Sequence, residues 1–237
     1  MRPSITHRSH TTVRIRIVAL LLMMMFAGAI DALAQSTKPR RQPPPLPRPT
    51  LEIGGYGMIG LMNFTAADSF DVIVGSPSGM IFGGGARVNL PYGGLFVDVG
   101  AWRFGAEGER TFIFEGEEFD LGIPVEVTVI PVEFSAGWQF RLRRAPQFRP
   151  YVGGGFSSYG YTESSEFATD AENVDERFSG FHLLGGAEYR VSRIVALAGE
   201  ATWTTVPDAL GEGGVSAAFD ETDLGGISFR LKVIIGR

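Results

Sequence analysis

Histidine is the side chain that most often moves protons or binds metal ions near neutral pH. This chain of 237 residues has three, at positions 7, 10 and 182, and it has no cysteine. Thiol nucleophiles, disulfides and zinc–cysteine clusters are therefore excluded. If the N-terminal segment 1–34 is removed, His182 alone remains, which excludes a metal site with several histidine ligands. A lone histidine is more often a hydrogen-bonding residue than a catalytic one, and we expect that role for His182.

Acidic and glycine-rich segments are the other sequences that could form ligand sites. The acidic segment 170–176 lacks the glycine and the ligand spacing of an EF-hand calcium loop, so it is better interpreted as a solvated loop. The glycine triplets 83–85 and 153–155 precede no helix and do not predict phosphate-binding loops. They indicate places where strands curve and where bulky neighbouring side chains fit. We expect no metal, no cofactor and no enzymatic activity.

The N-terminal segment 1–34 has the composition of a cleavable export signal. Four arginines among the first 16 residues precede an uninterrupted apolar run from Ile17 to Ile30, and Ala32-Leu33-Ala34 forms a small-x-small cleavage signal. The apolar run is shorter than the roughly 20 residues of a membrane-spanning helix. We therefore favour a signal peptide over the alternative, an uncleaved anchor. Removing those arginines and Asp31 from 21 basic and 26 acidic residues leaves 17 and 25, so the net charge of −8 argues against nucleic-acid binding.

A proline-rich basic linker is predicted at residues 35–50. Its core, KPRRQPPPLPRP at 38–49, favours extended polyproline II and cannot pack against a hydrophobic core. The remaining residues, 51–237, form one predicted domain.

This domain has the two-residue periodicity of β-strands, and no convincing helical pattern is present. In the last strand, five apolar residues from Ile227 to Ile235 alternate with Ser228, Arg230 and Lys232. Turn signals separate eight predicted strands, at about 51–64, 79–90, 94–114, 118–142, 150–162, 179–190, 194–204 and 224–236.

The connections between the predicted strands alternate in length and charge. Those at 91–93, 143–149 and 191–193 are short and, on the whole, basic. The others are mostly long and mostly acidic, at 65–78, 115–117, 163–178 and 205–223. An even number of strands with short turns at one end and long loops at the other is typical of an outer-membrane barrel, with the turns periplasmic and the loops outside. We therefore predict an all-β fold, an eight-stranded antiparallel up-and-down transmembrane β-barrel.

A soluble lipocalin would show the same alternation with its apolar face inward. Two features favour lipid on the outside. Aromatic residues lie near strand ends on the apolar face, at Trp138, Phe140 and Tyr189 beside the short turns and at Phe181 and Trp203 beside the long loops. The polar face carries as many acidic as basic residues, as a lumen of paired charges requires. These ion-pair candidates are Glu52, Asp98, Glu133, Glu188 and Glu200 with Arg87, Arg141, Arg190, Arg230 and Lys232.

One pair among these candidates can be assigned from strand order. Glu200 and Arg230 lie near the middle of two consecutive predicted strands, both on the polar face. We therefore expect a two-pronged bond between this carboxylate and this guanidinium, with Lys232 and Glu188 next in reach.

Three segments resemble the OmpA-like outer-membrane β-barrel domains. They are Arg149–Gly155 (RPYVGGG), Gly185–Arg190 (GGAEYR) and Leu224–Arg230 (LGGISFR). The resemblance covers about 51–237 and implies location in the outer membrane of a Gram-negative bacterium, usually without enzymatic activity. It implies outer-membrane lipid, lipopolysaccharide and the barrel assembly machinery as partners. The chain departs from the family at its end, Ile235-Gly236-Arg237, where an aromatic residue is common.

The sequence thus favours a structural or cell-surface interaction role, with a lumen filled by side chains and an extracellular ligand possible at the acidic loops. A narrow porin-like channel is the first alternative. The second is a barrel enzyme acting on outer-membrane lipid. Lipid A deacylases of this size have a His-x-Ser pair with a glutamate on the lipid-facing side, but Leu183-Leu184 follows His182, which lies on the predicted inner face.

Overall fold

The computed structural model describes residues 51–91, 93–114, 117–165, 174–211 and 214–236. The predicted signal peptide and linker lie outside these described residues, so their boundaries stay predictions. The structural statements below concern the described part of the chain.

Eight antiparallel strands close into a barrel in which each strand pairs with its neighbours in sequence and β8 pairs with β1. The predicted fold is therefore confirmed, with strand bounds that differ by a few residues from those predicted. The strands are β1 (Glu52–Phe64), β2 (Ser78–Asn89), β3 (Leu95–Phe114), β4 (Glu117–Gln139), β5 (Phe148–Ser164), β6 (Val174–Arg190), β7 (Val195–Thr205) and β8 (Gly226–Gly236).

Side chains alternate between the two faces of this closed sheet, as the period of a strand requires. The apolar set faces outward: Phe181 and Leu231, for example, are 64% and 67% exposed. All five predicted girdle aromatics are on this outer face. The polar set faces inward, where Arg230 and Glu200 are buried. The prediction of an apolar outer face and a polar lumen is confirmed, and the lipocalin-like alternative is wrong.

Glycines on neighbouring strands make room for large inward side chains. A Cβ atom added to Gly85 or Gly100 would lie 2.6 or 2.5 Å from the Tyr56 hydroxyl oxygen. A Cβ atom on Gly153 would lie 3.2 Å from the Phe96 ring. The prediction that the glycine triplets accommodate bulky lumen residues is confirmed for Gly85 and Gly153.

Two short helices interrupt the long connections, and the expectation of no helix was wrong there. Helix α1 (Ala67–Val74) lies between β1 and β2, and helix α2 (Gly214–Ala218) lies between β7 and β8. No side chain in α1 caps its own N-terminus. Instead, the Glu221 carboxylate accepts hydrogen bonds from the backbone N–H groups of Asp68 and Ser69, at 3.1 and 2.8 Å. Neither described helix is long and apolar enough to cross a membrane.

Helix α1 completes an apolar cluster inside the long-loop end of the barrel. The Phe70 ring stacks on Phe64 with centroids 4.2 Å apart, and Phe64 meets Phe104 edge to face at 4.9 Å. Met62, Val129 and other buried residues from both sides of the barrel join this cluster. The long-loop end therefore contains a small core of the kind found in soluble proteins.

The ladder between β2 and β3 is shorter than the strands themselves. It runs from Asn89–Phe96 to Phe82–Arg103 and ends there. Beyond that pair, Ser78–Ile81 of β2 still pair with β1, and β3 still pairs with β4. The two strands thus separate towards the long-loop end.

Candidate functional site in the barrel interior

Nine of the ten ion-pair candidates from the sequence lie on the inner face of the barrel, whereas Arg141 is exposed in the turn after β4. Each of the ten has a charged atom within 4.0 Å of an opposite charge on another candidate or on Arg149. They form a middle group of three cations and three carboxylates and a second group at the short-turn end. The middle group consists of Arg87, Asp98, Glu133, Glu200, Arg230 and Lys232, all buried.

The strongest pair in the middle group is Arg230 with Glu133, across the barrel from β8 to β4. The guanidinium donates two hydrogen bonds to the two carboxylate oxygens, at 2.6 and 2.8 Å. The indole N–H of Trp102 donates a third to the same carboxylate, at 2.8 Å. Such a two-pronged, charge-assisted contact is among the stronger polar interactions in proteins.

The sequence predicted this two-pronged bond between Arg230 and Glu200, which was wrong. Glu200 and Arg230 are directly opposite in the β7–β8 ladder, yet their nearest charged atoms are 3.7 Å apart. The closest cation to Glu200 is Lys232, whose Nζ donates a hydrogen bond at 2.8 Å. Arg230 therefore spans the lumen to Glu133 on β4, and Lys232 takes the place predicted for Arg230 beside Glu200.

Arg87 occupies the next position towards the short turns. Its Nε donates to Asp98 at 2.9 Å, and its Nη2 lies 3.6 Å from Glu200. The guanidinium also sits 4.4 Å from the ring centroids of both Phe96 and Tyr151. Two aromatic faces and two carboxylates therefore surround one buried cation, which compensates its desolvation.

Two tyrosine hydroxyls complete the hydrogen bonding of these carboxylates. Tyr56 donates to Asp98 at 2.8 Å, and Tyr151 donates to Glu200 at 3.1 Å. The Lys232 Nζ lies 4.6 Å from the Tyr56 ring centroid. The middle group is thus one connected network of formal charge zero, which is the condition for burying charges at tolerable free-energy cost.

The group at the short-turn end is more exposed and centres on Glu52. Arg149 and Arg190 donate to the same Glu52 oxygen at 2.9 and 2.8 Å, and Arg141 lies 4.0 Å from the other. Glu188 belongs to this group, so its predicted place beside the Glu200–Arg230 pair was wrong. Its carboxylate accepts a hydrogen bond from Gln139 at 3.0 Å and lies 3.6 Å from Arg190.

His182 points into the lumen and is buried. Its Nε2 is 2.8 Å from the Ser135 hydroxyl oxygen, which confirms the predicted hydrogen-bonding role. The Nδ1 atom has no hydrogen-bond partner. A catalytic serine–histidine pair needs a third group on that nitrogen and a route for substrate. Both side chains are instead enclosed by the barrel wall.

Sequence reasoning missed five residues that hold the networks together: Tyr56, Trp102, Gln139, Arg149 and Tyr151. Alternation alone could have placed Tyr56 and Trp102 inside, since they share a strand face with the predicted lumen charges Glu52 and Asp98. Tyr151 had no such signal, because β5 carries none of the predicted charges. Arg149 was assigned to a turn because β5 was started at residue 150, whereas the strand begins at Phe148.

Among the described residues, no group of three or more His, Asp or Glu side chains is arranged so that it could hold a metal ion.

The fold and the polar lumen described above are typical of a small outer-membrane barrel, and comparison with known proteins supports this assignment. A family model described as the outer membrane protein beta-barrel domain matches residues 18–230. No curated protein has significant sequence similarity to the chain.

Several solved structures share the barrel architecture at low sequence identity. A major outer membrane protein from Thermus thermophilus is 10% identical with a TM-score of 0.50, covering 79% of this chain and 100% of that one. Neisserial surface protein A is 12% identical with a TM-score of 0.46, covering 78% and 95%. The N-terminal barrel domain of Pseudomonas aeruginosa OprF is 12% identical with a TM-score of 0.42, covering 80% and 98%. The extent of the family match and the closed eight-stranded barrel together establish that this chain belongs to the outer membrane protein beta-barrel domain family and resides in the outer membrane.

Proposed function

We propose that this protein is a sealed outer-membrane barrel with a structural or cell-surface interaction role, and that its ordered cap at the long-loop end is the surface that meets partners. The observation that carries the proposal is the filled interior. A neutral ion-pair network occupies the middle, and an aromatic cluster occupies the long-loop end.

The interior argues against the porin-like alternative. An eight-stranded barrel is just wide enough for side chains to fill it. Here Arg230 on β8 bridges the lumen to Glu133 on β4 with hydrogen bonds of 2.6 and 2.8 Å, and Trp102 on the neighbouring strand β3 donates to the same carboxylate at 2.8 Å. Phe64, Phe70 and Phe104 fill the lumen beyond them. A passing ion would have to break both layers.

The cap consists of the described residues of the connections 65–78 and 205–223, and hydrogen bonds between the two connections and within the second support it. Glu221 caps helix α1. The Asp223 carboxylate accepts hydrogen bonds from the backbone N–H groups of Val206 and Gly225, at 2.8 and 2.6 Å, and from the Thr205 hydroxyl at 2.5 Å. An ordered surface loses less entropy on binding than a flexible one. This rigidity supports a recognition role for the cap.

The cap is also strongly acidic, which indicates the chemistry of its partner. Asp68, Asp71, Asp208 and Asp220 are exposed, and segments 65–78 and 205–223 contain no lysine or arginine. Charge complementarity favours a cationic molecular surface as the extracellular ligand. The enzyme alternative receives no such support, because Ser135 and His182 are buried in the lumen.

Planar-bilayer recording on the purified full-length mature protein tests the sealed lumen. We expect baseline conductance indistinguishable from protein-free bilayers at voltages that leave the bilayer intact. A porin reconstituted in the same lipid provides the positive control. Reproducible unitary current steps from this protein would contradict the sealed-lumen proposal and favour the channel.

A further inference from the structure

The barrel wall has an opening between β2 and β3 at the long-loop end. Their ladder ends at Phe82–Arg103, so Ser78–Ile81 and the segment of β3 beyond Arg103 lack hydrogen bonds to each other. Within the described residues, every other ladder reaches the end of at least one of its two strands on this side of the barrel, whereas both β2 and β3 continue past their last pair. Unpaired backbone groups facing hydrocarbon cost several kcal/mol each. An opening here therefore calls for an occupant that solvates or covers it.

A cavity of about 720 Å³ lies at this opening. Its volume is within the usual range for sites that bind small molecules. We call it the wall recess. Its apolar lining comes from helix α1 and from both strands, namely Val74, Gly79, Met80, Phe82, Phe104 and Ala106.

The Phe104 ring closes the inner side of the wall recess. A Cβ atom on Gly79 would clash with this ring, so the ring packs directly on the glycine backbone. Phe104 also packs against Phe64 and Phe70 of the apolar cluster, at 4.9 and 6.0 Å between centroids. The wall recess therefore opens outward to the barrel surface, and its inner side is apolar.

The outer side of the wall recess joins the lipid-facing surface. Met80 and Phe82 are 61% and 60% exposed on the outer face. Their ladder partners on β1, Leu61 and Ile59, are also exposed apolar residues. A molecule can thus enter the recess from the membrane without leaving an apolar surface.

The rim of the wall recess carries a net negative charge. Glu107 and Glu126 are direct partners in the β3–β4 ladder, both with exposed side chains. Arg103 pairs with Glu126 at 3.1 Å. One cation therefore faces two carboxylates, and like charges directly opposite each other are unfavourable unless a further cation joins them.

We propose that the wall recess binds a membrane amphiphile, with its hydrocarbon chain on Met80, Phe82 and Phe104 and a cationic head group at Glu107. The recess is continuous with the lipid-facing surface, which favours a hydrocarbon chain in the ligand. The rim has one carboxylate more than it has cations, which favours a cationic head group. Binding there is independent of whether the lumen conducts.

The chain has no cysteine, so a single introduced cysteine gives an unambiguous label. Ser78→Cys, at the recess, and Leu197→Cys, on the outer face of β7, each receive a bimane fluorophore in phosphatidylcholine nanodiscs. Spin-labelled octadecylamine, octadecanol and octadecanoic acid then serve as quenchers. We expect saturable quenching at position 78 by the amine, at about fivefold lower concentration than the acid, as one partly exposed ion pair would give. Quenching at position 197 should rise linearly with all three probes.

Two glycine variants form a matched pair for this test. Gly105 lines the wall recess, and its added Cβ would meet only the Arg103 side chain, at 3.8 Å and beyond. Gly57 lies on the outer face of β1 with no atom within 4 Å of its added Cβ. Gly105→Leu should abolish the saturable quenching, and Gly57→Leu should leave it unchanged.

Glu107→Gln keeps the wall recess and removes the free carboxylate, so it should reduce the preference for amine over acid to near parity. This variant also decides the question if Gly105→Leu fails to fold. Linear quenching at position 78, a preference for the acid, or saturation that survives Gly105→Leu would each overturn the proposal. An unchanged amine preference in Glu107→Gln would overturn it too.

Discussion

Replacing Arg230 with methionine should destabilise the barrel by about 3–5 kcal/mol, the usual effect of removing one partner from a buried ion pair. The side chain donates two hydrogen bonds to Glu133, at 2.6 and 2.8 Å, and both residues are buried. Without it, Glu133 keeps only the Trp102 indole N–H as a donor. Methionine has a similar volume, so the lost stability reflects the unpaired Glu133 carboxylate more than a cavity.

The distances also predict which partner Arg230 is coupled to. Hydrogen bonds to charged groups contribute about 1.5–3 kcal/mol each. Arg230 donates to the Ser228 hydroxyl at 2.9 Å and to Glu133, and of the two carboxylates near it only Glu133 accepts a hydrogen bond from it. Glu200 lies 3.7 Å away and keeps its own hydrogen bond from Lys232. We expect a coupling free energy of about 2–3 kcal/mol between Arg230 and Glu133 and about 0.5–1 kcal/mol between Arg230 and Glu200, within the range for contacting residues.

Two double-mutant cycles measure these couplings. One combines Arg230→Met with Glu133→Leu, and the other combines Arg230→Met with Glu200→Leu. Urea unfolding in phosphatidylcholine vesicles, followed by tryptophan fluorescence, gives the free energy of each variant. Trp138 and Trp203 lie on the outer face and report insertion directly. Additive losses in the first cycle, or a larger coupling in the second, would refute the assigned cross-lumen pairing.

Three further expectations follow from the fold. Both termini should be periplasmic, so peptide tags inserted in 163–178 should be labelled on intact cells and tags in 143–149 should not; the opposite pattern would contradict this topology. Because closure leaves few unpaired strand edges, the protein should migrate at two positions in SDS gels depending on boiling, and a single position at all temperatures would argue against the barrel. Glu221→Gln removes a charged cap from α1 and should lower the free energy of unfolding by about 0.5–2 kcal/mol; an unchanged urea midpoint would show that the cap contributes little.

The strands and their orientation could be predicted because a membrane barrel imposes a simple rule on sequence. Apolar side chains must face lipid, and polar side chains can face only the lumen, so alternation identifies both faces at once. In β8, Arg230 and Lys232 alternate with Phe229 and Leu231, and the structure places the two pairs on opposite faces. Turn signals between the alternating segments gave the strand count, and the alternation of loop length and charge indicated which end of the barrel faces outward.

The pairing of lumen charges could not be predicted, because it depends on distances across the barrel. Glu133 and Arg230 are 97 residues apart in sequence and four strands apart in the closed sheet. Ladder neighbours such as Glu200 and Arg230 can be inferred from consecutive strands. Which of several carboxylates a long arginine side chain reaches depends on barrel curvature and on space left by glycines such as Gly100.

The sequence did not predict helix α1 because contacts with residues distant in sequence stabilise it. Its sequence, ADSFDVIV, contains three consecutive β-branched residues with modest helix propensity. The helix depends instead on Glu221, about 150 residues away, and on the stacking of Phe70 against Phe64. A window of local sequence contains neither contact.

At Trp102 the barrel interior changes from an ionic network to an apolar cluster. The Trp102 indole N–H binds Glu133 in the ionic network, and its ring meets Tyr159 of the apolar cluster edge to face at 5.9 Å. One side chain therefore joins two barriers in series, ionic towards the short turns and apolar towards the long loops. Removing charges from the network opens only the first barrier. The variant carrying both Arg230→Met and Glu133→Leu should then remain non-conducting in planar bilayers although it is less stable, because Phe64, Phe70 and Phe104 still fill the outer half. Current through that variant would mean that the ionic network alone keeps the lumen closed.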